Sequence, residues 1–182
     1  MRHQQQASRP RRPRTPLDPA TIRALALHYV GRYATTQARL RQYLERKLRE
    51  RGWAESTPEP ALEQLVHEFA RLGYVDDDAF AAARVTSLLR RGFGANRLNA
   101  AMRQAGIAAD KAEMAARLDH DSARGAAMAF ARRKRLGPFG APLLDAKDRS
   151  RALAAFLRAG HSYEVAREIL ALADDDSVFR DF

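Results

Sequence analysis

Apolar residues recur along this chain at the three- and four-residue spacing that lines one face of an α-helix, and no stretch alternates as a strand requires. Asp18-Pro19 reads as an N-cap with proline in the first turn, followed by the stripe Ile22, Leu25, Ala26, Tyr29 and Val30. A second stripe, Leu40, Leu44 and Leu48, starts behind Thr36 and stops at Gly52. Beyond a break holding Pro58 and Pro60, with Thr57 as the expected cap, Leu62, Leu65, Val66, Phe69 and Leu72 run to Gly73. Asp76, Asp77 and Asp78 open a helix carrying Phe80, Ala81, Val85 and Leu88; Gly92-Phe93-Gly94 is a turn, and a helix from Asn96 to Ala105 ends at Gly106. Asp110 and Glu113 are spaced as a capping box before Met114 and Leu118, and Asp121 or Ser122 opens a helix through Ala126, Ala127 and Phe130. After the breakers from Gly137 to Pro142, a helix with Ala152, Leu153, Phe156 and Leu157 ends at Gly160, and Ser162 caps a last one through Val165, Ile169 and Leu170.

The pattern repeats. Gly52, Gly106 and Gly160 each close a basic amphipathic helix and stand 54 residues apart (106 − 52 and 160 − 106). Asp18 to Leu40 also aligns without gaps on Asp76 to Leu98, at an offset of 58 (76 − 18), so the two registers differ by about one helical turn. The predicted fold is therefore all-α, a tandem array of degenerate three-helix repeats. The expected division is a disordered basic arm over 1–17, a first repeat lacking its first helix over 18–53, a second over 54–107, a third over 108–173, and an acidic tail over 174–182.

Charge changes the picture from scaffold to binder. The 182 residues hold 32 Lys and Arg against 22 Asp and Glu, a formal net charge of +10, which makes polyanions the natural partners. Without cysteine the chain has no disulfide, thiolate nucleophile or cysteine-based zinc site, consistent with a reducing cytoplasm. No segment approaches the roughly 20 apolar residues of a membrane span, and the N-terminus lacks the apolar core of a signal peptide. Asp76-Asp77-Asp78 and Asp119-His120-Asp121 precede helices and read as caps rather than cation sites. Gly92-Phe93-Gly94 has Arg97 where a dinucleotide loop needs glycine, and no serine or histidine sits in a nucleophile setting, so no enzyme and no cofactor is expected. The candidate binding residues are Arg90, Arg91, Arg97 and Arg103 around one turn and its following helix, with Arg132, Arg133, Lys134 and Arg135 at a corresponding helix end.

The stretch from Gly73 to Ala81, the run Arg90-Arg91-Gly92-Phe93-Gly94-Ala95-Asn96-Arg97-Leu98 and the sequence Met102-Arg103-Gln104-Ala105-Gly106-Ile107 together resemble the central signature of RecX regulatory proteins. The resemblance spans about residues 20–173, with Arg39 where that family usually has glutamate and His161 where it usually has an aromatic ring. It implies tandem three-helix units in a curved, elongated array. It also implies a cytoplasmic monomer that lodges in the groove of RecA filaments on DNA and modulates, usually inhibits, RecA. Its own contact with single-stranded or duplex DNA would be weak and nonspecific. The alternative is a helix-turn-helix-like regulator reading duplex sites, which would concentrate Asn, Gln and Arg on one exposed helix and pair as a dimer.

Overall fold

A computed structural model describes residues 15–55, 58, 60–108, 110, 117–141 and 145–172. Eight α-helices run their full course among them: α1 Pro19–Arg32, α2 Gln37–Arg51, α3 Leu62–Arg71, α4 Asp77–Arg90, α5 Ala95–Gln104, α6 His120–Lys134, α7 Ala146–Arg158 and α8 Tyr163–Ala171. A 3₁₀ turn covers Gly137–Phe139. The described residues hold no strand, only an isolated bridge between Leu17 and Trp53. The fold is all-α, and the helices start where short polar side chains can serve the unpaired amides of the first turn. Asp18, Thr36, Asp76, Asp119, Asp145 and Ser162 each accept a hydrogen bond from an amide two or three residues on. The cap of α6 is Asp119 rather than Asp121 or Ser122, which lie in its first turn. With three candidate caps so close in sequence, the earliest wins because its carboxylate reaches the Ser122 amide at 2.7 Å. That bond is the main reason the Asp119 carboxyl sits below its ordinary pKa. The expected cap Thr57, the capping-box partner Glu113 with Met114, the arm before Thr15 and the acidic tail lie outside the described residues.

Burial groups the helices differently from the expected division. Leu17, Ile22, Ala26, Leu40, Leu44, Val66, Phe69 and Val75 form one core, so α3 packs with α1 and α2 instead of opening a second unit at 54. Tyr29 stacks on Tyr43 in that core at 4.2 Å. The reason lies in the break at Pro58 and Pro60: it turns the chain back, and the stripe Val66 and Phe69 covers the apolar side of α2. Leu17 is fully buried and does not belong to a disordered arm; its amide donates to Gly52 O at 2.9 Å and its carbonyl accepts from Ala54 N at 2.9 Å. The middle of the chain buries Ala81, Leu88, Leu98, Met102, Ala105 and Ile107. The last three helices bury Ala127, Phe130, Phe156, Ala159, Ala166 and Ile169.

The period-54 glycines mark joints. The turn Ala105-Gly106-Ile107 at the end of α5 lies against the start of α2: the buried Thr36 hydroxyl donates to Ala105 O, and the open side of Gly106 faces the Ala38 methyl. Across the same joint Asp77 accepts from Gln37 N at 2.9 Å, so α4 supplies a second cap to α2. One unit later the turn Ala159-Gly160-His161 at the end of α7 lies against the start of α5. There Gly94 N donates to Ala159 O at 3.0 Å and Asn96 N to Gly160 O at 3.1 Å. Thr36 and Gly94 are 58 apart (94 − 36), Ala105 and Ala159 are 54 apart (159 − 105), and each pair holds the same place in its joint.

At the second joint two backbones touch. A Cβ on Gly94 would overlap the Gly160 carbonyl, and a Cβ on Gly160, whose φ is +93°, would overlap the Arg97 backbone. Gly52 has a similar φ of +73° but open space around it. Gly160→Ala should therefore cost about 3–4 kcal/mol, combining left-handed strain with overpacking. Gly52, at φ +73° and ψ 176°, lies in a region that is essentially glycine's alone, so Gly52→Ala should cost about 2 kcal/mol even with open space around it. Urea unfolding followed by circular dichroism measures both, and equal losses would contradict the joint.

Candidate nucleic-acid interface

Two helix ends and one helix start meet at the second joint, which gathers basic residues from distant parts of the chain. Arg90 ends α4 and Arg91 is its C-cap, Arg97 lies in the first turn of α5, and Arg132, Arg133 and Lys134 end α6. The negative end of each helix dipole favours the cations at the ends of α4 and α6, by under about 1 kcal/mol each. Phe93, half-buried in the turn between α4 and α5, is the organising side chain. The guanidinium carbons of Arg91, Arg97 and Arg133 stand 5.2, 5.8 and 5.5 Å from its ring centre. Arg133 also donates to the Arg91 carbonyl and lies 5.6 Å from the Phe130 ring. Three cations around one aromatic ring repel each other, so an incoming anion relieves a cost already present in the free protein.

The structure brings together Arg91, Arg97 and Arg133 from the predicted set, and it leaves the others apart. Arg132 lies 5.0 Å from the Phe139 ring instead. Arg90, Arg103, Lys134 and Arg135 are exposed, and none is placed on Phe93; Arg135 adopts a left-handed φ of +53° that ends α6. Among the described residues none of the eight forms an ion pair with a carboxylate. Some basic residues of the first three helices differ: Arg23 pairs with Glu68 at 2.6 Å, Arg41 with Glu63 at 2.6 Å, and Lys47 with Glu50 at 2.8 Å.

Sequence reasoning missed two contributors. A groove of about 180 Å³ between α4 and α5 is lined by Arg84 and Gln104 together with Leu88, Arg91, Phe93, Arg97, Ala100 and Ala101. The signal was present as helical spacing: Arg84, Leu88 and Arg91 follow an i, i+4, i+7 pattern on one helix, and Arg97, Ala101 and Gln104 follow it on the next. Phe93 itself read only as a turn residue.

Beneath the arginines lies His161, 3% exposed. Its ring meets those of Phe130 and Phe156 at 5.6 Å each, and its Nε2 lies 3.2 Å from Gly92 O. The histidine thus fills an aromatic position, donating to the carbonyl that precedes Phe93 when Nε2 carries the proton. Burial lowers its pKa below the ordinary 6.5, against a smaller opposing effect of the Gly92 hydrogen bond. Asp76 caps α4 and His120 faces Glu168 at 3.2 Å, and the described residues contain no cluster able to hold a metal ion. No described helix is long and apolar enough to cross a membrane.

Helical units joined at glycine turns, with a cationic face at a joint, define an all-α repeat protein of the three-helix type. A family model described as "RecX, second three-helix domain" matches residues 76–115. The regulatory protein RecX of Myxococcus xanthus is 33% identical over 168 residues, covering 88% of this chain and 89% of the relative. The regulatory protein RecX of Agrobacterium fabrum is 28% identical over 157 residues, covering 84% and 83%. This chain belongs to the RecX family of regulatory proteins. Its fold is similar to the crystal structure of RecX from Lactobacillus salivarius, with a TM-score of 0.62 at 18% identity over 85% of this chain and 96% of that one. A second RecX crystal structure matches with a TM-score of 0.58 at 20% identity, over 86% and 79%.

Protonating His161 places an uncompensated charge in the joint, so the unfolded chain binds the extra proton more readily than the native one. Stability should be full above pH about 6.5, the unfolded value for histidine, and should fall as pH drops from there toward the lower native pKa. His161→Phe should flatten that decline. Urea midpoints at pH 7.5 and pH 5.5 for both proteins check it, and an equal decline in the two would contradict the assignment.

Proposed function

We propose that this protein binds RecA filaments on DNA and inhibits their ATPase and strand exchange, acting as a cytoplasmic monomer through binding rather than turnover. The observation that carries this reading is the cationic cluster of Arg91, Arg97 and Arg133 around Phe93, which has no carboxylate partner among the described residues. An unpaired cluster at a joint suits a nucleoprotein surface, because it combines phosphate attraction with the fixed geometry of a packed interface. The units favoured by the cores are α1–α3, a second beginning at Asp76, and α6–α8. In an array of such units each adds a modest contact, and the joints convert the later contacts into intramolecular ones. Arg90, Arg103, Arg132, Lys134 and Arg135 are exposed apart from the cluster and would add charge without a fixed place in it. Binding can inhibit only by preferring one filament arrangement over another, so the joints that hold the units in fixed relation are part of the mechanism.

Arg91→Glu/Arg97→Glu should leave the urea midpoint nearly unchanged, since exposed charges add little to folding. Inhibition of filament ATPase by the same variant should weaken about tenfold or more. The salt dependence of its binding to bare DNA should lose a slope of about 2, one unit for each phosphate contact removed. Full inhibition by the variant would overturn the reading, as would tight binding to one duplex sequence.

A further inference from the structure

We propose that the groove between α4 and α5 seats one unstacked base of single-stranded DNA, with Arg84, Arg91 and Arg97 meeting the phosphates on either side of it. The inference rests on the reading of the second joint as a nucleic-acid surface and names what that surface takes.

The walls carry Arg84, Arg91, Arg97 and Gln104, and among the described residues no carboxylate lines the groove. Between them Leu88, the half-buried Phe93, Ala100 and Ala101 give a small apolar floor, the lesser part of a mostly polar lining. A phosphate site needs no such floor. An apolar bed framed by guanidinium groups fits a flat π-system, because a base stacks on guanidinium planes as well as on aromatic or aliphatic surface. Gln104 adds an amide that can both donate to and accept from a base edge. At about 180 Å³ the groove suits one flat ring system and not an α-helix, whose diameter with side chains is about 10–12 Å.

The form of the arginines matters as well. Arg91 and Arg97 are both placed against Phe93, which limits their freedom before any ligand arrives and lowers the ordering cost of binding. In a duplex the base faces are already stacked on each other, so a duplex reaches the arginines through phosphate alone and gains nothing from the floor. The groove therefore separates single strands from duplexes, which net charge alone cannot do. An acidic peptide would satisfy the arginines but would leave the apolar bed and Gln104 unused.

The test uses the full chain and fluorescence anisotropy with a labelled oligothymidine, an abasic strand of the same length and charge, and a hairpin duplex. The oligothymidine should bind about tenfold more tightly than the abasic strand, within the range for stacking one base. Ala100 is an exposed residue lining the groove, and Ala100→Leu fills the groove without changing charge. That variant should lose the tenfold preference while keeping its affinity for the abasic strand and the duplex, and a thermal melt confirms that it folds. Equal binding of oligothymidine and abasic strand by the unaltered protein would overturn the base seat, as would retention of the preference by Ala100→Leu. An oligo-aspartate of equal charge that displaces oligothymidine as well as unlabelled oligothymidine does would assign the groove to acidic peptides instead. Filament ATPase assayed alongside separates the two readings: a lost base preference with intact inhibition condemns only the groove, whereas Arg91→Glu/Arg97→Glu inhibiting fully condemns the interface itself.

Discussion

At the second joint two stretches of main chain pack directly against each other. Where Gly94 meets Gly160 no side chain separates the peptide groups, and the hydrogen bonds from Gly94 and Asn96 amides to the Ala159 and Gly160 carbonyls hold the two turns directly. Such a joint has little compliance, because backbone cannot change rotamer to absorb a shift. Everything placed around it inherits that rigidity. Phe93 is the residue between the two glycines of one turn, His161 follows the glycine of the other, and the arginines that surround Phe93 come from elements that start or stop at the contact.

That arrangement explains why a cationic cluster can exist where like charges repel. The cost of assembling Arg91, Arg97 and Arg133 is met by packing beneath them, where Phe130, Phe156 and His161 form an aromatic bed. The first three helices have the opposite design. There Arg23, Arg41, Arg46 and Lys47 pair with Glu45, Glu50, Glu63 and Glu68 on neighbouring turns or helices, so part of the positive charge is matched within the fold. Net charge alone therefore says little about where a polyanion would sit; the local ratio of arginine to carboxylate on each unit says more.

Much of the architecture was legible because its signals are local. Helix stripes, the Asp18, Thr36, Asp76 and Ser162 caps and the closing glycines depend on residues within a turn or two of each other. The phase of the repeat was not legible, since the strongest periodic mark lies on the docking turn and not on a unit boundary. Gly52, Gly106 and Gly160 end the second helix of a three-helix group, and only burial shows that Val66 and Phe69 belong with Leu40 and Leu44. The arginine cluster proposed as a site was half legible. Arg91, Arg97 and Arg133 follow from clustering at helix ends, whereas Arg84 and Gln104 enter through the side-by-side placement of two helices. Leu17, one apolar residue after a run of arginines and prolines, gave no local hint that it is core.

Leu17 also bears on how long such an assembly can grow. Repeated joints carry no instruction to stop: a turn that accepts one neighbour leaves related contacts on offer at the next position. At Gly52 the equivalent turn has already spent its carbonyl and the following Ala54 amide on Leu17, and the leucine side chain fills the apolar recess behind them. In the vocabulary of polymer chemistry the residue is a chain stopper, a monofunctional end group seated on the terminus where a further link would bond.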